Sequence, residues 1–328
     1  MTKNNNGKRL PAHLTKGGPG DVFKGGGSVD TSTWFHNPEV GNTELEKQIK
    51  NEEIYFCNAP FQVLYTDVPG NYAPCSWADE KHFGANIRDT SIKDWFENDP
   101  KLNQLRDEML SPGSDLELTK KSCASCIKQE KLYGRSRRVA SLKILSNVPS
   151  FWNLQREAIL KYKATGKGHI KHKIFEVQIK AFGNQCNLDC FMCHTYDSSM
   201  RTQTMNSDEL KDQTTFNKYG IDNGNKTKVN QIKGASLTDI IDQIADFAPY
   251  IWNVKLIGGE PLVMKQYYKL LDAMIETGYS KQMQVKFQTN MSVMGHGKYK
   301  ITDYTKHFRK FELTVSLDSC LLYTSDAA

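Results

Sequence analysis

Phe175 to His194 read FEVQIKAFGNQCNLDCFMCH. Phe175, Val177, Ile179 and Ala181 alternate with Glu176, Gln178 and Lys180, the period of a strand with one buried face. That strand runs directly into Cys186, Cys190 and Cys193, a C-x3-C-x2-C triplet. Three thiolates so close together can hold three corners of an iron–sulfur cube and leave the fourth iron without a protein ligand, which is an open position for a substrate or cofactor.

Downstream, strands and helices alternate. Ser236 can cap a helix whose Leu237, Ile240, Ile241, Ile244 and Ala248 share one face. Val254-Lys-Leu-Ile257 reads as the next strand and ends at Gly258-Gly259-Glu260-Pro261, with Tyr267, Leu270, Leu271 and Met274 marking the helix behind it. Val285-Lys-Phe-Gln-Thr289 and Phe311-Glu-Leu-Thr-Val-Ser-Leu317 give two more strands. This alternation predicts an α/β fold with a parallel sheet or barrel, whose function belongs at the carboxyl ends of the strands. The cysteine triplet, Gly258 to Pro261, Thr289-Asn290, and Ser316 with Asp318 all fall there. The two glycines let a ligand approach the backbone, and Glu260 offers a carboxylate to an ammonium group. Taken alone, the tetrapeptide reads equally as a strand-to-helix turn with Pro261 at the first helical position.

Upstream, residues 1–45 are rich in Asn, Gly, Lys and Thr without apolar periodicity, a flexible leader in which only Trp34 and Phe35 offer a docking pair. Residues 46–147 form a small α+β cysteine-rich module. Ile54 to Cys57 and Gln62 to Thr66 read as short strands, Pro69-Gly70-Asn71 as a turn, and Ser91 as the cap of a helix through Trp95 and Phe96. Leu102, Leu105, Met109 and Leu110 share one helix face. The module carries Cys57, Cys75, Cys123 and Cys126, and four thiolates can close a structural zinc site or saturate an iron–sulfur cluster; spacing alone leaves both open. Arg135, Arg137 and Arg138 read as an exposed basic turn, with an anionic ligand as the alternative. Residues 148–172 form a helical, lysine-rich linker, and residues 195–234 a polar insertion, either lid or plain surface.

Composition narrows the class. Forty-three Lys+Arg against 37 Asp+Glu give +6, spread too thinly along the chain for a nucleic-acid surface. No run approaches the roughly twenty apolar residues of a membrane-spanning helix, and no apolar export segment opens the chain. Eight cysteines without that segment point to a reducing cytoplasm.

Together these residues resemble the radical S-adenosylmethionine (SAM) superfamily. The resemblance implies that Cys186, Cys190 and Cys193 ligate a 4Fe-4S cluster whose fourth iron is chelated by SAM, and that Gly258, Gly259, Glu260 and Pro261 hold the SAM amino group. Thr289, Asn290, Ser316 and Asp318 match the polar strand ends that approach the SAM carboxylate and ribose, while the family's aromatic residue before the third cysteine is Met192 here. It implies a partial (β/α)6 barrel over residues 173–319, an electron donor such as flavodoxin or ferredoxin, and reductive cleavage of SAM to a 5′-deoxyadenosyl radical that abstracts hydrogen. Cys57-Asn-Ala-Pro60, Pro74-Cys75, Gly84-Ala-Asn-Ile-Arg-Asp89, Ser91-Ile-Lys-Asp-Trp95, Leu105-Arg106 and Cys123-x2-Cys126 resemble a twitch module, the shortened SPASM domain. That resemblance implies an auxiliary 4Fe-4S cluster and a peptide substrate, although here the module precedes the barrel.

Two readings from other classes stand beside this one. A zinc-stabilised, non-catalytic binding protein would use both cysteine sets, with His194 completing the triplet. An iron–sulfur electron carrier explains the cysteines but not Gly258 to Pro261. Residues 320–328, which hold Cys320, read as a non-native tail resembling a translated sequencing adapter, so a reading frame cut short of its last barrel strands is expected.

Overall fold

The computed structural model describes residues 54–146, 149–170, 176–190, 193–195, 197–205 and 235–316, together with Gln48. The leader with Trp34 and Phe35, most of the 195–234 insertion, Phe191, Met192, Asp318 and the 320–328 tail lie outside them.

Six strands make one mixed, mostly parallel sheet: β1 (Val63–Thr66), β2 (Tyr72–Ala73), β3 (Glu176–Ile179), β4 (Asn253–Leu256), β5 (Gln284–Thr289) and β8 (Lys310–Val315), in the order β2-β1-β3-β4-β5-β8. Only the β1–β2 pair is antiparallel among the ladders of this sheet. A separate ribbon joins β6 (Gly295–His296) to β7 (Tyr299–Lys300). The predicted strands at 175–181, 254–257, 285–289 and 311–317 correspond to β3, β4, β5 and β8, the first and last described in part. Val177, Ile179, Val254, Leu256, Val285 and Phe287 are buried in the sheet, where β-branched and aromatic side chains suit the pleated surface. Among the described residues β8 pairs with β5 alone and β2 with β1 alone, so the sheet keeps two edges.

The amino-terminal half departs from the sequence reading. Residues 54–57 form no strand, and Gln62 closes a short helix, α1 (Ala59–Gln62), because Pro60 supplies helical φ and needs no amide partner in a first turn. The expected turn at Pro69-Gly70-Asn71 joins β1 to β2 in an antiparallel hairpin. There the Asp67 carboxylate accepts the amides of Gly70 and Asn71 at 2.8 and 2.6 Å, and Gly70 adopts φ +98°. β1 also pairs in parallel with β3, Val63 opposite Glu176 through Thr66 opposite Ile179. The boundary expected between residues 46–147 and 173–319 is therefore crossed by the sheet, and Leu64, Tyr72 and Trp95 share one apolar cluster with Val177, Ile244 and Leu270.

Helices fill in around this sheet. Ser91 caps α2 (Ile92–Asn98) by accepting the Asp94 amide, as expected, and α3 (Pro100–Leu110) buries Leu102, Leu105, Met109 and Leu110. Then come α4 (Glu117–Ser122), α5 (Ala124–Tyr133), α6 (Arg137–Ser146) and α7 (Pro149–Thr165). The lysine-rich linker packs along one side, where Trp152, Ile159, Tyr162 and Ile170 are buried and Tyr162 donates to Asp107 at 2.8 Å, while Lys163 and Lys167 are exposed. Behind the triplet come α8 (Ser199–Met205), α9 (Ala235–Asp246) and α10 (Lys265–Glu276). Leu237, Ile240, Ile241 and Ile244 face inward from α9, whose first turn already contains Ser236, so that serine lies inside the helix.

Candidate metal and SAM centres

The four strand ends nominated by the sequence meet along one rim. After β3 the chain turns back through Asn184 and Gln185 into the cysteine loop, and this backbone lies against the turn that ends β4: the Gly259 amide donates to the Asp197 carbonyl at 3.0 Å and the Glu260 amide to the Gln185 carbonyl at 2.8 Å. Gly259 has φ +56°, and a Cβ there would stand 2.3 Å from the Gln185 carbonyl oxygen, so only glycine fits. From β5, Asn290 donates through Nδ2 to Asn187 Oδ1 at 3.1 Å, and Asn187 in turn donates to Ser292 Oγ at 2.8 Å. The Ser316 amide, just past β8, donates to the Thr289 carbonyl at 2.9 Å. Ser316 itself is exposed at this rim.

Glu260 does not face outward as its sequence reading supposes. It is 1% exposed, and its carboxylate accepts three donors: Leu262 N at 3.0 Å and Thr289 Oγ1 at 2.6 Å on Oε1, and Asn290 N at 2.6 Å on Oε2. A buried carboxylate engaged in this way ties the β4 turn to the end of β5.

Cys186, Cys190 and Cys193 are all half-buried at the rim, and none is in a disulfide. The Cys193 amide donates to the Cys190 carbonyl at 3.0 Å, closing a tight turn, and burial together with its two cysteine neighbours pushes the Cys193 thiol up to about 11. Ser199, which the sequence reading passed over, accepts the Cys186 amide at 3.1 Å and fixes the start of the loop; its spacing from the triplet carried no motif to reveal it.

The second cysteine set lies at the opposite ends of the same strands. Cys57, Cys75, Cys123 and Cys126 line one pocket with Tyr55, Ala59, Val63, Arg137, Arg138 and Ser141. Val63 opens β1, and Arg137 reaches Glu176, which opens β3. The amino ends thus carry four thiols and the carboxyl ends three, at opposite ends of β1 and β3, four-residue strands that each span roughly 10 Å at about 3.3 Å per residue. Cys75 and Cys126 are buried, Cys57 and Cys123 half-buried, and burial raises the Cys57 and Cys75 thiols and pushes Cys123 up to about 12. Arg137 and Arg138 are correspondingly not an exposed basic turn; both are mostly buried ion-pair partners, with Glu176 and Glu130.

Among the described residues no three or more His, Cys, Asp or Glu side chains converge as a single metal ion would require. A zinc ion needs its sulfurs about 2.3 Å from one point. An iron–sulfur cluster instead takes one thiolate at each iron. Compared with models of known families, with curated proteins and with solved structures, the chain matches none.

Proposed function

We propose that this chain is a radical SAM enzyme core of partial (β/α)6-barrel type, with a 4Fe-4S cluster on Cys186, Cys190 and Cys193 and an auxiliary cluster on Cys57, Cys75, Cys123 and Cys126. The observation that carries the reading is the junction of Gly259 and Glu260 with Asn184, Gln185 and Asp197: two motifs far apart in sequence share hydrogen bonds at one rim, and a residue larger than glycine would push them apart. When bound, a site-differentiated cluster with SAM supplies a 5′-deoxyadenosyl radical after one-electron reduction. This chain's own residues would orient SAM: Gly258, Gly259 and Pro261 shape the turn that faces its amino group, Glu260 and Thr289 hold that turn to β5, and Asn290 and Ser316 offer polar groups at the rim. A flavodoxin or ferredoxin would deliver the electron in a reducing cytoplasm, and a peptide is the substrate class that the four-cysteine module suggests. No helix among the described residues is long and apolar enough to cross a membrane.

The test is anaerobic reconstitution followed by dithionite reduction in the presence of SAM. The full chain should release 5′-deoxyadenosine and Cys190→Ala should release none. Equal release from both sinks the assignment of the triplet.

A further inference from the structure

Arg137 and Arg138 have no part in the reading above, yet they line the four-cysteine pocket and grip its ligand-bearing segments. Arg138 forms a two-pronged pair with Glu130, Nε to Oε1 at 2.9 Å and Nη2 to Oε2 at 2.6 Å. Its Nη1 donates to the carbonyl of Phe56, the residue before Cys57, at 3.1 Å, and its guanidinium lies 4.1 Å from the Tyr55 ring centre. Arg137 donates through Nη1 to Ser76 Oγ, the residue after Cys75, at 2.7 Å, and through Nη2 to Glu176 at 2.8 Å. Each arginine therefore holds a residue adjacent to a different cysteine, and each is itself held from behind by a carboxylate. Neither Glu130 nor Glu176 lines the pocket. The two ion pairs are thus oriented, positive end toward the sulfurs and negative end away.

We infer that Arg137 and Arg138 are the counter-ions of the four-cysteine centre, positioning its Cys57 and Cys75 segments and raising the reduction potential of the cluster bound there. The inference rests on the reading of that pocket as an iron–sulfur site. The physical need is plain: four thiolates around a core of two positive charges leave two negative charges in a pocket walled largely by apolar atoms, and reduction adds a third. Nearby cations favour the more negative, reduced state, and they act strongly where water is scarce. Arginine suits the task because its planar fork can hold a carboxylate, a carbonyl and an aromatic face at once while staying charged.

The experiment uses the full chain carrying Cys186→Ala, Cys190→Ala and Cys193→Ala, so that a single centre reports. After anaerobic loading with iron and sulfide, the midpoint potential is followed by electron paramagnetic resonance and iron release is timed under excess chelator. Arg138→Gln should lower the midpoint and release iron on the order of ten-fold faster, a change of about 1.4 kcal/mol in barrier. Arg138→Lys should restore most of the midpoint, and Glu130→Gln, which unmasks the guanidinium, should raise it above that of the parent. Opposite shifts for Arg138→Gln and Glu130→Gln separate a charge effect from simple loosening of the fold. Midpoints unchanged, or shifted in the same direction by both variants, overturn the inference while leaving the cluster in place. A parent protein that takes up zinc but neither iron nor sulfide overturns the reading beneath it as well.

Discussion

The triplet at the carboxyl ends of the sheet is half-buried and bounded by glycine, asparagine and serine, whereas the four-cysteine pocket at the amino ends is walled by two arginines, a tyrosine and aliphatic side chains. The first has fewer thiols than a cube has irons, and the second has one for each. On the proposed reading the contrast would give the two ends different work: an incompletely ligated cluster at a polar rim could take a ligand, while a fully ligated one in the pocket would hold structure or pass an electron. The two cysteine sets lie at opposite ends of β1 and β3.

Cys123→Ala attacks one side of that contrast and should have the largest selective effect. It removes a ligand of the closed pocket, so the metal there should be lost while iron at the triplet remains; Mössbauer or metal analysis of the reconstituted variant checks this. Loss of iron from both centres would show that the two ends are not separable. Gly259→Ala attacks the rim. The new Cβ meets the Gln185 carbonyl in a backbone conformation unsuited to alanine, so chemical denaturation should show a loss of about 3 kcal/mol, and the triplet should load poorly. Wild-type stability in this variant would mean that the cysteine loop does not pack on the β4 turn. Glu260→Gln replaces one acceptor oxygen with an NH2 donor, so either Asn290 N or the Leu262 N and Thr289 Oγ1 pair loses its acceptor. A cost of about 2 kcal/mol is expected, with SAM affinity weakened through the displaced turn. An intact fold with abolished SAM binding would instead point to direct contact by the carboxylate. Leu188→Ala, an exposed position within the cysteine loop, should change stability by less than about 0.5 kcal/mol and leave iron loading unaltered.

Much of the rim was legible in the sequence, because β3, β4, β5 and β8 carry hydrophobic patterns that end shortly before the candidate residues. Local pattern did not disclose the partner of β1. Val63 to Thr66 are all buried, so this short strand has no alternation and could belong to a small hairpin or to the middle of a sheet. The inward turn of Glu260 was hidden for a related reason: a carboxylate beside two glycines reads as an available ligand, and only the approach of Thr289 and Asn290 from another strand reveals its three donors. Arg137 and Arg138 followed the same logic. Basic residues at a helix start suggest solvent until Glu130, Glu176, Ser76 and the Phe56 carbonyl are brought to them by the fold.

The two-centre account is tested most directly by counting iron and acid-labile sulfide in the anaerobically reconstituted full chain beside its triple variant Cys186→Ala, Cys190→Ala, Cys193→Ala. Two cubes predict about eight irons and eight sulfides in the parent and about four of each in the variant. Zinc without sulfide in either protein, or a variant that binds as much iron as its parent, would contradict it.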